Sequence, residues 1–248
     1  MAAPTRSRDQ ALRQLHQMKE HHAHGTAGGR LRAAIFGMND GLVTNASLVV
    51  GVAAAEPGRQ VVVLAGIAGL VAGAFSMAAG EYISMTVQRE MFESQIALER
   101  RELEQDPEWE HEEVAIIFRA KGLPPEDAER IADHVMAQPE VALDLMAREE
   151  LGLNPDDLGS PWGAASSSFV SFALGAVVPL LPYIFLGGAS ALIAALVLAG
   201  LTILVVGALT ARLSMRSPWF GGARALLIGA VATSITYVVG RLVGVAVT

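Results

Sequence analysis

Residues 61–105 read VVVLAGIAGLVAGAFSMAAGEYISMTVQREMFESQIALERRELEQ. From Val61 to Val87 the stretch is apolar and long enough to cross a bilayer, whose hydrocarbon core needs about 20 helical residues. From Gln88 to Gln105 it contains no glycine or proline and is rich in strong helix formers. The pattern predicts one helix that continues past the membrane into water.

Four other stretches are also apolar and long enough to cross a bilayer. In chain order the five predicted spans are Ala33–Ala55, Val61–Val87, Ser166–Leu186, Ala189–Ala211 and Ala223–Val247. The sequence therefore predicts an all-α membrane protein with five transmembrane helices and a helical domain inserted between spans two and three. We expect a polar N-terminal tail (1–32), spans one and two (33–88), the inserted domain (89–160) and spans three to five (161–248).

The charge of the chain is concentrated in the inserted domain. Residues 89–160 carry 20 acids and 7 bases, whereas the rest of the chain carries 5 acids and 11 bases. The chain is 52% hydrophobic and only 17% charged, which excludes an ordinary soluble enzyme. Without a dominant basic surface we expect no nucleic-acid partner. With no cysteine, a disulfide framework and a thiolate metal site are excluded.

The orientation follows from the lysines and arginines that flank the spans. Six bases precede the first span, and Arg59 alone lies in the first connection. Because cytoplasmic loops carry the excess of positive residues, we expect the N-terminus and residues 89–160 to be cytoplasmic. The C-terminus is then on the far side of the membrane.

Two acids and one methionine mark the predicted spans as functional. Asp40 lies within span one, where an aspartate costs about 2.5–3.5 kcal/mol to insert and usually faces a cavity or a partner. Glu81 lies near the cytoplasmic end of span two, with Met77 four residues earlier on the same face. A thioether beside a carboxylate suits Fe²⁺. A shallow, solvated Asp40 and a Met77 that only packs are the alternatives.

The inserted domain is predicted to contain three helices after the long one. They begin at Pro107, at Pro124-Pro125 and at Pro139 and extend to about Lys121, Ala137 and Leu151, because proline is favoured at the first helical position.

Pairs of metal-ligating residues share faces of these helices. The pairs are Glu99 and Glu102, Glu110 and Glu113, and Met146 and Glu150, at spacings of three or four residues. If the three faces meet, they form a nest for divalent transition metals. The alternative is a solvated acidic surface that Arg100, Arg101 and Arg148 neutralise.

Other chemical sites have weaker signals. A ferritin-like di-iron site needs two Glu-x-x-His motifs; Glu108 and His111 form one, but Ile131 occupies the matching position before His134. The tail histidines His16, His21, His22 and His24 are more typical of a solvated segment than of a metal site. We find no Ser/His/Asp set or phosphate-binding loop, so we do not expect an enzyme.

Long motifs in the chain resemble the vacuolar iron transporter family. They are RAAIFGMNDGLV (32–43), GAFSMAAGEYIS (73–84), the glutamate-rich extension that follows, and REELG (148–152). The resemblance covers Arg30 to the C-terminus and is that of a bacterial homologue, which would place the chain in a bacterial plasma membrane.

The resemblance implies a homodimer with a translocation path between the subunits. Asp40 and Met77 match the residues that line the path. It further implies that the inserted domain binds metal through Glu99, Glu102, Glu110, Glu113, Met146 and Glu150. Fe²⁺, and often Mn²⁺, then leaves the cytosol in exchange for protons, with Fe²⁺ as substrate and no prosthetic group.

Three functional hypotheses follow from the sequence. The first is a proton-coupled antiporter with Asp40, Met77 and Glu81 on the transport path. The second is a passive divalent-metal channel, whose flux is indifferent to a pH gradient. The third is a membrane-anchored metal sensor or buffer, which binds metal but transports none.

Overall fold

The computed structural model describes residues 25–56 and 58–247, with side chains from residue 29 to residue 244. The tail histidines at positions 16, 21, 22 and 24 lie outside this range. The helices are α1 (Gly25–Ala54), α2 (Arg59–Gln105), α3 (Pro107–Ala120), α4 (Pro125–Met136), α5 (Pro139–Glu149), α6 (Pro161–Val177), α7 (Leu181–Phe185), α8 (Gly188–Leu213) and α9 (Pro218–Val247), with a 3-10 turn at Val178–Leu180.

Five helical segments are long and apolar enough to cross a membrane, as predicted. They are Gly29–Ala54, Arg59–Gln105, Pro161–Phe185, Gly188–Leu213 and Pro218–Gly244. Throughout the part of the chain that the structure describes, the regular structure is helical. The prediction of an all-helical integral membrane protein with five spans is therefore confirmed.

Two spans differ in detail from the sequence prediction. Helix α1 begins at Gly25, eight residues before the predicted start of span one, so the helix extends beyond its apolar part. Span three begins at Pro161, before the predicted start at Ser166. Its prolines at 179 and 182 predict a kink, and the helix is interrupted there by the 3-10 turn at Val178–Leu180, because Pro179 supplies no amide hydrogen.

Helix α2 is continuous from Arg59 to Gln105, as the opening stretch predicted. At a rise of 1.5 Å per residue its 47 residues measure about 70 Å, more than twice the thickness of a hydrocarbon core. Only its apolar first part can therefore lie in the membrane.

The described chain divides into two compact units. The acidic unit contains Ser84–Ser160, and the membrane unit contains Ala27–Ile83 together with Pro161–Thr248.

Glycines bring α1 and α6 into close contact inside the membrane unit. A Cβ on Gly37 would lie 2.8 Å from the carbonyl oxygen of Ser168, and one on Gly41 would overlap the carbonyl oxygen of Phe172. The Asn45 side chain donates a 2.6 Å hydrogen bond to the carbonyl of Ala176. These contacts fix the rotation of α1 about its axis, and with it the direction in which Asp40 projects.

In the acidic unit, the three short helices begin where the sequence predicted. The Asp106 side chain accepts a hydrogen bond from the Trp109 backbone amide, which caps α3. The fully buried side chains of Val114, Ala115, Ala132 and Met146 form a small core between α3, α4 and α5.

Candidate functional site

Asp40 is half-buried on α1, one residue before the tight contact at Gly41. The Thr44 hydroxyl, one turn later, donates a 3.1 Å hydrogen bond to Asp40 Oδ1. This donor is neutral, so it leaves the carboxylate charge uncompensated.

Met77 lies on α2 and packs against the cluster of Ala74, Phe172 and Ala176. The same Phe172 contacts Gly41 beside Asp40, so both predicted path residues lie near this aromatic residue of α6. The thioether is half-buried.

Glu81 has a partner that the sequence reasoning missed. Arg32 Nη2 on α1 lies 3.7 Å from Glu81 Oε2, and the Glu81 side chain is only 15% exposed. In the sequence, Arg32 and Glu81 are charges near the predicted cytoplasmic ends of spans one and two. Their pairing did not follow from the sequence, because it depends on how α1 packs against α2.

Two of the predicted metal ligands in the acidic unit are buried carboxylates. Glu99 on α2 and Glu110 on α3 are each 3% exposed. One oxygen of each, Oε1 of Glu99 and Oε2 of Glu110, has no hydrogen-bond partner among the described residues. These two side chains are therefore not part of a solvated surface, and each retains a free acceptor that a proton or a metal could satisfy.

Burial and like charge raise the pKa values of the glutamates in this group. Burial, followed by the charges of Glu150, Glu110, Glu102 and Glu113, raises the pKa of Glu99 to about 8. Glu99 therefore holds its proton at neutral pH.

The pKa of Glu110 is also raised. Burial, followed by the charges of Glu113, Glu150 and Glu102, raises its pKa to about 7, although a hydrogen bond with Glu99 opposes the shift. Burial, then the charges of Glu113 and Glu102, raise the pKa of Glu150. The five predicted glutamates thus lie close enough to act on one another.

The side chains do not converge on one point. Within the described part of the chain, no three His, Asp or Glu side chains form a group that could hold a metal ion. Glu113 accepts a 3.0 Å hydrogen bond from Trp109 Nε1, and Met146 is fully buried in the hydrophobic core. The five glutamates lie close enough for their charges to interact, but a bound metal would require these side chains to rearrange.

The basic residues of the acidic unit pair with other acids. Arg148 hydrogen bonds Asp144 and Asp156 and not its neighbour Glu150, while Arg100 lies 3.4 Å from Glu140. Arg148 and Arg100 therefore do not neutralise the five glutamates by direct contact. His111 likewise contacts Asp133 at 2.8 Å.

Comparison with known sequences decides the family. The sequence model of the VIT family matches residues 31–241. The chain belongs to the VIT family. It is 30% identical over 236 residues to "Vacuolar iron transporter 1" of Eucalyptus grandis, covering 95% of this chain and 94% of that protein. It is 36% identical over 219 residues to "Vacuolar iron transporter" of Acanthamoeba castellanii, covering 88% of this chain and 80% of that protein.

A third relative in the VIT family, "Vacuolar iron transporter 1" of Arabidopsis thaliana, is 30% identical and covers 90% of this chain and 91% of that protein. The family resemblance drawn from the sequence motifs is therefore confirmed. These relatives come from plants and an amoeba, so they do not support the expectation of a bacterial homologue.

Proposed function

We propose that this protein exports Fe²⁺, and other divalent transition metals such as Mn²⁺, from the cytosol in exchange for protons. Membership of the VIT family and the iron transporters among its relatives support the substrate class. The single observation that carries the mechanism is the group of five interacting glutamates, two of which are buried and have pKa values near neutrality.

The acidic unit is proposed to capture the metal. Near pH 7 Glu99 is mostly protonated and Glu110 is about half protonated, and a divalent ion that binds between them displaces the protons they hold. Glu102, Glu113 and Glu150 add negative charge that raises the local cation concentration. Met146 adds a soft ligand only if α5 shifts, because its thioether lies in the hydrophobic core.

Asp40, Met77 and Glu81 are proposed to line the transport path. Glu81 is next to Arg32, whose charge balances that of the carboxylate. Among the described residues, Asp40 has only the neutral hydroxyl of Thr44 as a hydrogen-bond partner. Asp40 is therefore the acid whose charge a proton or a metal must balance inside the membrane, and we assign the exchanged proton to it.

The assembly and orientation form part of the same proposal. We expect a homodimer in which the exposed face of α2, with Phe75, Ser76 and Gly80, borders the path between two subunits. The excess of bases before span one supports a cytoplasmic N-terminus and a cytoplasmic acidic unit. The bacterial plasma membrane stays a prediction.

Ion flux in proteoliposomes tests this function. A pH gradient should drive Fe²⁺ transport by the unaltered protein, and Asp40→Asn should abolish the dependence on the gradient. Glu104→Gln, an exposed acid on α2, is the matched control and should transport normally.

Three outcomes would contradict the proposal or part of it. Metal flux that ignores the pH gradient would indicate a passive channel. Metal binding without any flux would indicate a membrane-anchored sensor or buffer. Proton coupling that survives in Asp40→Asn would refute the role of this residue.

A further inference from the structure

The membrane unit contains a cavity of about 540 Å³ that the proposed transport function does not use. It lies where α1 ends, α2 begins, α8 begins and α9 approaches its end. Its lining includes Glu56, Arg59, Tyr183, Gly188 and Arg241. Asp40 and Glu81 do not line the cavity. The cavity lies at the end of α1 and the start of α2, whereas Arg32 lies near the start of α1 and Glu81 near the end of the predicted span two.

The charge around this cavity is positive. Arg59 and Arg241 contribute two guanidinium groups and Glu56 one carboxylate. Arg241 Nη1 lies 2.8 Å from Glu56 Oε1, and Arg59 Nη2 donates a 2.5 Å hydrogen bond to the carbonyl of Ile184. A guanidinium has five N–H donors, so each arginine retains donors beyond these contacts.

Two helices begin at the same cavity. Gly58 and Arg59 stand at the first turn of α2, and Gly188 and Ala189 stand at the first turn of α8. The first amides of a helix have no partner within the helix and carry partial positive charge. No side chain caps α8, so its amides remain available.

A buried hydroxyl provides independent evidence for a ligand. Tyr183 is 2% exposed and lines the cavity, yet its hydroxyl has no hydrogen-bond partner among the described residues. A buried polar group without a partner destabilises the folded state, so such groups are rare unless something binds them. The hydroxyl can donate to an acceptor that enters the cavity.

We propose that this cavity binds a phosphate group, carried either by a phospholipid headgroup or by free phosphate. A phosphate has several acceptor oxygens and can engage both guanidiniums, the Tyr183 hydroxyl and the amides at the start of α8 together. The cavity is also lined by apolar side chains, including Val62 and Leu192, which suit the glycerol and upper acyl region of a lipid.

The test uses the purified full chain in a maltoside detergent, which carries no phosphate. Inorganic phosphate is titrated while the melting temperature is followed, and bound phosphatidylglycerol is counted by native mass spectrometry. We expect saturable binding of at least one of the two probes. Binding of the lipid alone assigns the phosphate to a headgroup, and binding of inorganic phosphate alone assigns it to a free anion.

Variants with opposite expected effects separate binding from general damage to the fold. Arg59→Gln and Tyr183→Phe should each weaken binding, the former by about tenfold, because a hydrogen bond to a charged group is lost. Glu56→Gln should strengthen binding, because it releases Arg241 from its ion pair. Arg216→Gln, an exposed arginine in the connection between α8 and α9, should change nothing.

Absence of binding of both probes to the unaltered protein would overturn the proposal. Equal binding by Arg59→Gln, Glu56→Gln and Arg216→Gln would also overturn it, because the cavity charge would then be irrelevant. Neither result would bear on metal transport, which uses other residues.

Discussion

Replacing Glu99 by glutamine should stabilise the acidic unit in the absence of metal. In the folded chain the pKa of Glu99 is about 8, against 4.5 for the ordinary side chain. The proton is therefore bound more tightly in the folded state. The stability that the protonated carboxyl contributes is fully present below about pH 4.5 and is lost as the pH rises through about 8.

The magnitude follows from the difference between pH and the ordinary pKa. A pH of 7 is about 2.5 pH units above the ordinary pKa. Ionisation of Glu99 in the unfolded chain therefore favours unfolding by about 3 kcal/mol, while the folded carboxyl stays protonated. Glutamine cannot ionise, so it removes this penalty. Because glutamine also changes the hydrogen bonding with Glu110, we expect a gain of about 1–3 kcal/mol at pH 7 and less than about 1 kcal/mol at pH 5.

Hydrogen–deuterium exchange measures this gain as slower local opening of α3, α4 and α5. Glu104→Gln, on the same helix as Glu99 but exposed, should give no such protection. A Glu99→Gln protein that opens faster than the unaltered chain at pH 7, or whose gain in protection over the unaltered chain is the same at pH 5 and pH 7, would refute the reasoning.

Three further predictions concern metal binding and packing. Fe²⁺ affinity of the purified protein, measured by titration calorimetry under anaerobic conditions, should rise at least about tenfold between pH 6 and pH 8, because binding displaces at least one proton from Glu99 or Glu110; a flat profile would contradict this. Gly41→Ala should prevent correct folding or lower the melting temperature by several degrees, since its Cβ would overlap the Phe172 carbonyl, whereas the Cβ of Gly200→Ala would meet only the end of the Leu226 side chain at 3.6 Å and this variant should fold normally. Arg32→Gln should leave the buried carboxylate of Glu81 without its partner and slow transport in the flux assay; an unchanged rate would show that the pair is dispensable.

Element positions were largely predictable because each had a local cause. The spans follow from apolar length, and the starts of α3, α4 and α5 follow from prolines that favour the first helical position. The continuous helix through residues 88–105 follows from the absence of helix breakers. Each of these signals lies within a few residues of the feature that it produces.

The environment of the candidate site residues was less predictable because it depends on tertiary packing. The spacings of Glu99 with Glu102 and of Glu110 with Glu113 indicated shared helix faces, but the burial of Glu99 and Glu110 arises from how α2 and α3 pack in the acidic unit. The pairing of Arg32 with Glu81 joins two helices at distant sequence positions. The Met146 side chain lies in the hydrophobic core. Helical spacing alone did not distinguish this core position from a ligand position.

The cavity at Tyr183 had no sequence signal of its own. Its lining comes from four separate parts of the chain, and each contributing residue has an ordinary local explanation. Arg59 and Arg241 count only as loop or span-end charges in the sequence. Their common site becomes visible once the helix ends are brought together.

The most direct test of the central claim is the simultaneous measurement of Fe²⁺ and proton flux in proteoliposomes that start without a pH gradient. An imposed Fe²⁺ gradient should drive protons in the opposite direction, and the Asp40→Asn protein should lose this proton movement. Fe²⁺ flux through the unaltered protein with no accompanying proton flux would contradict the account.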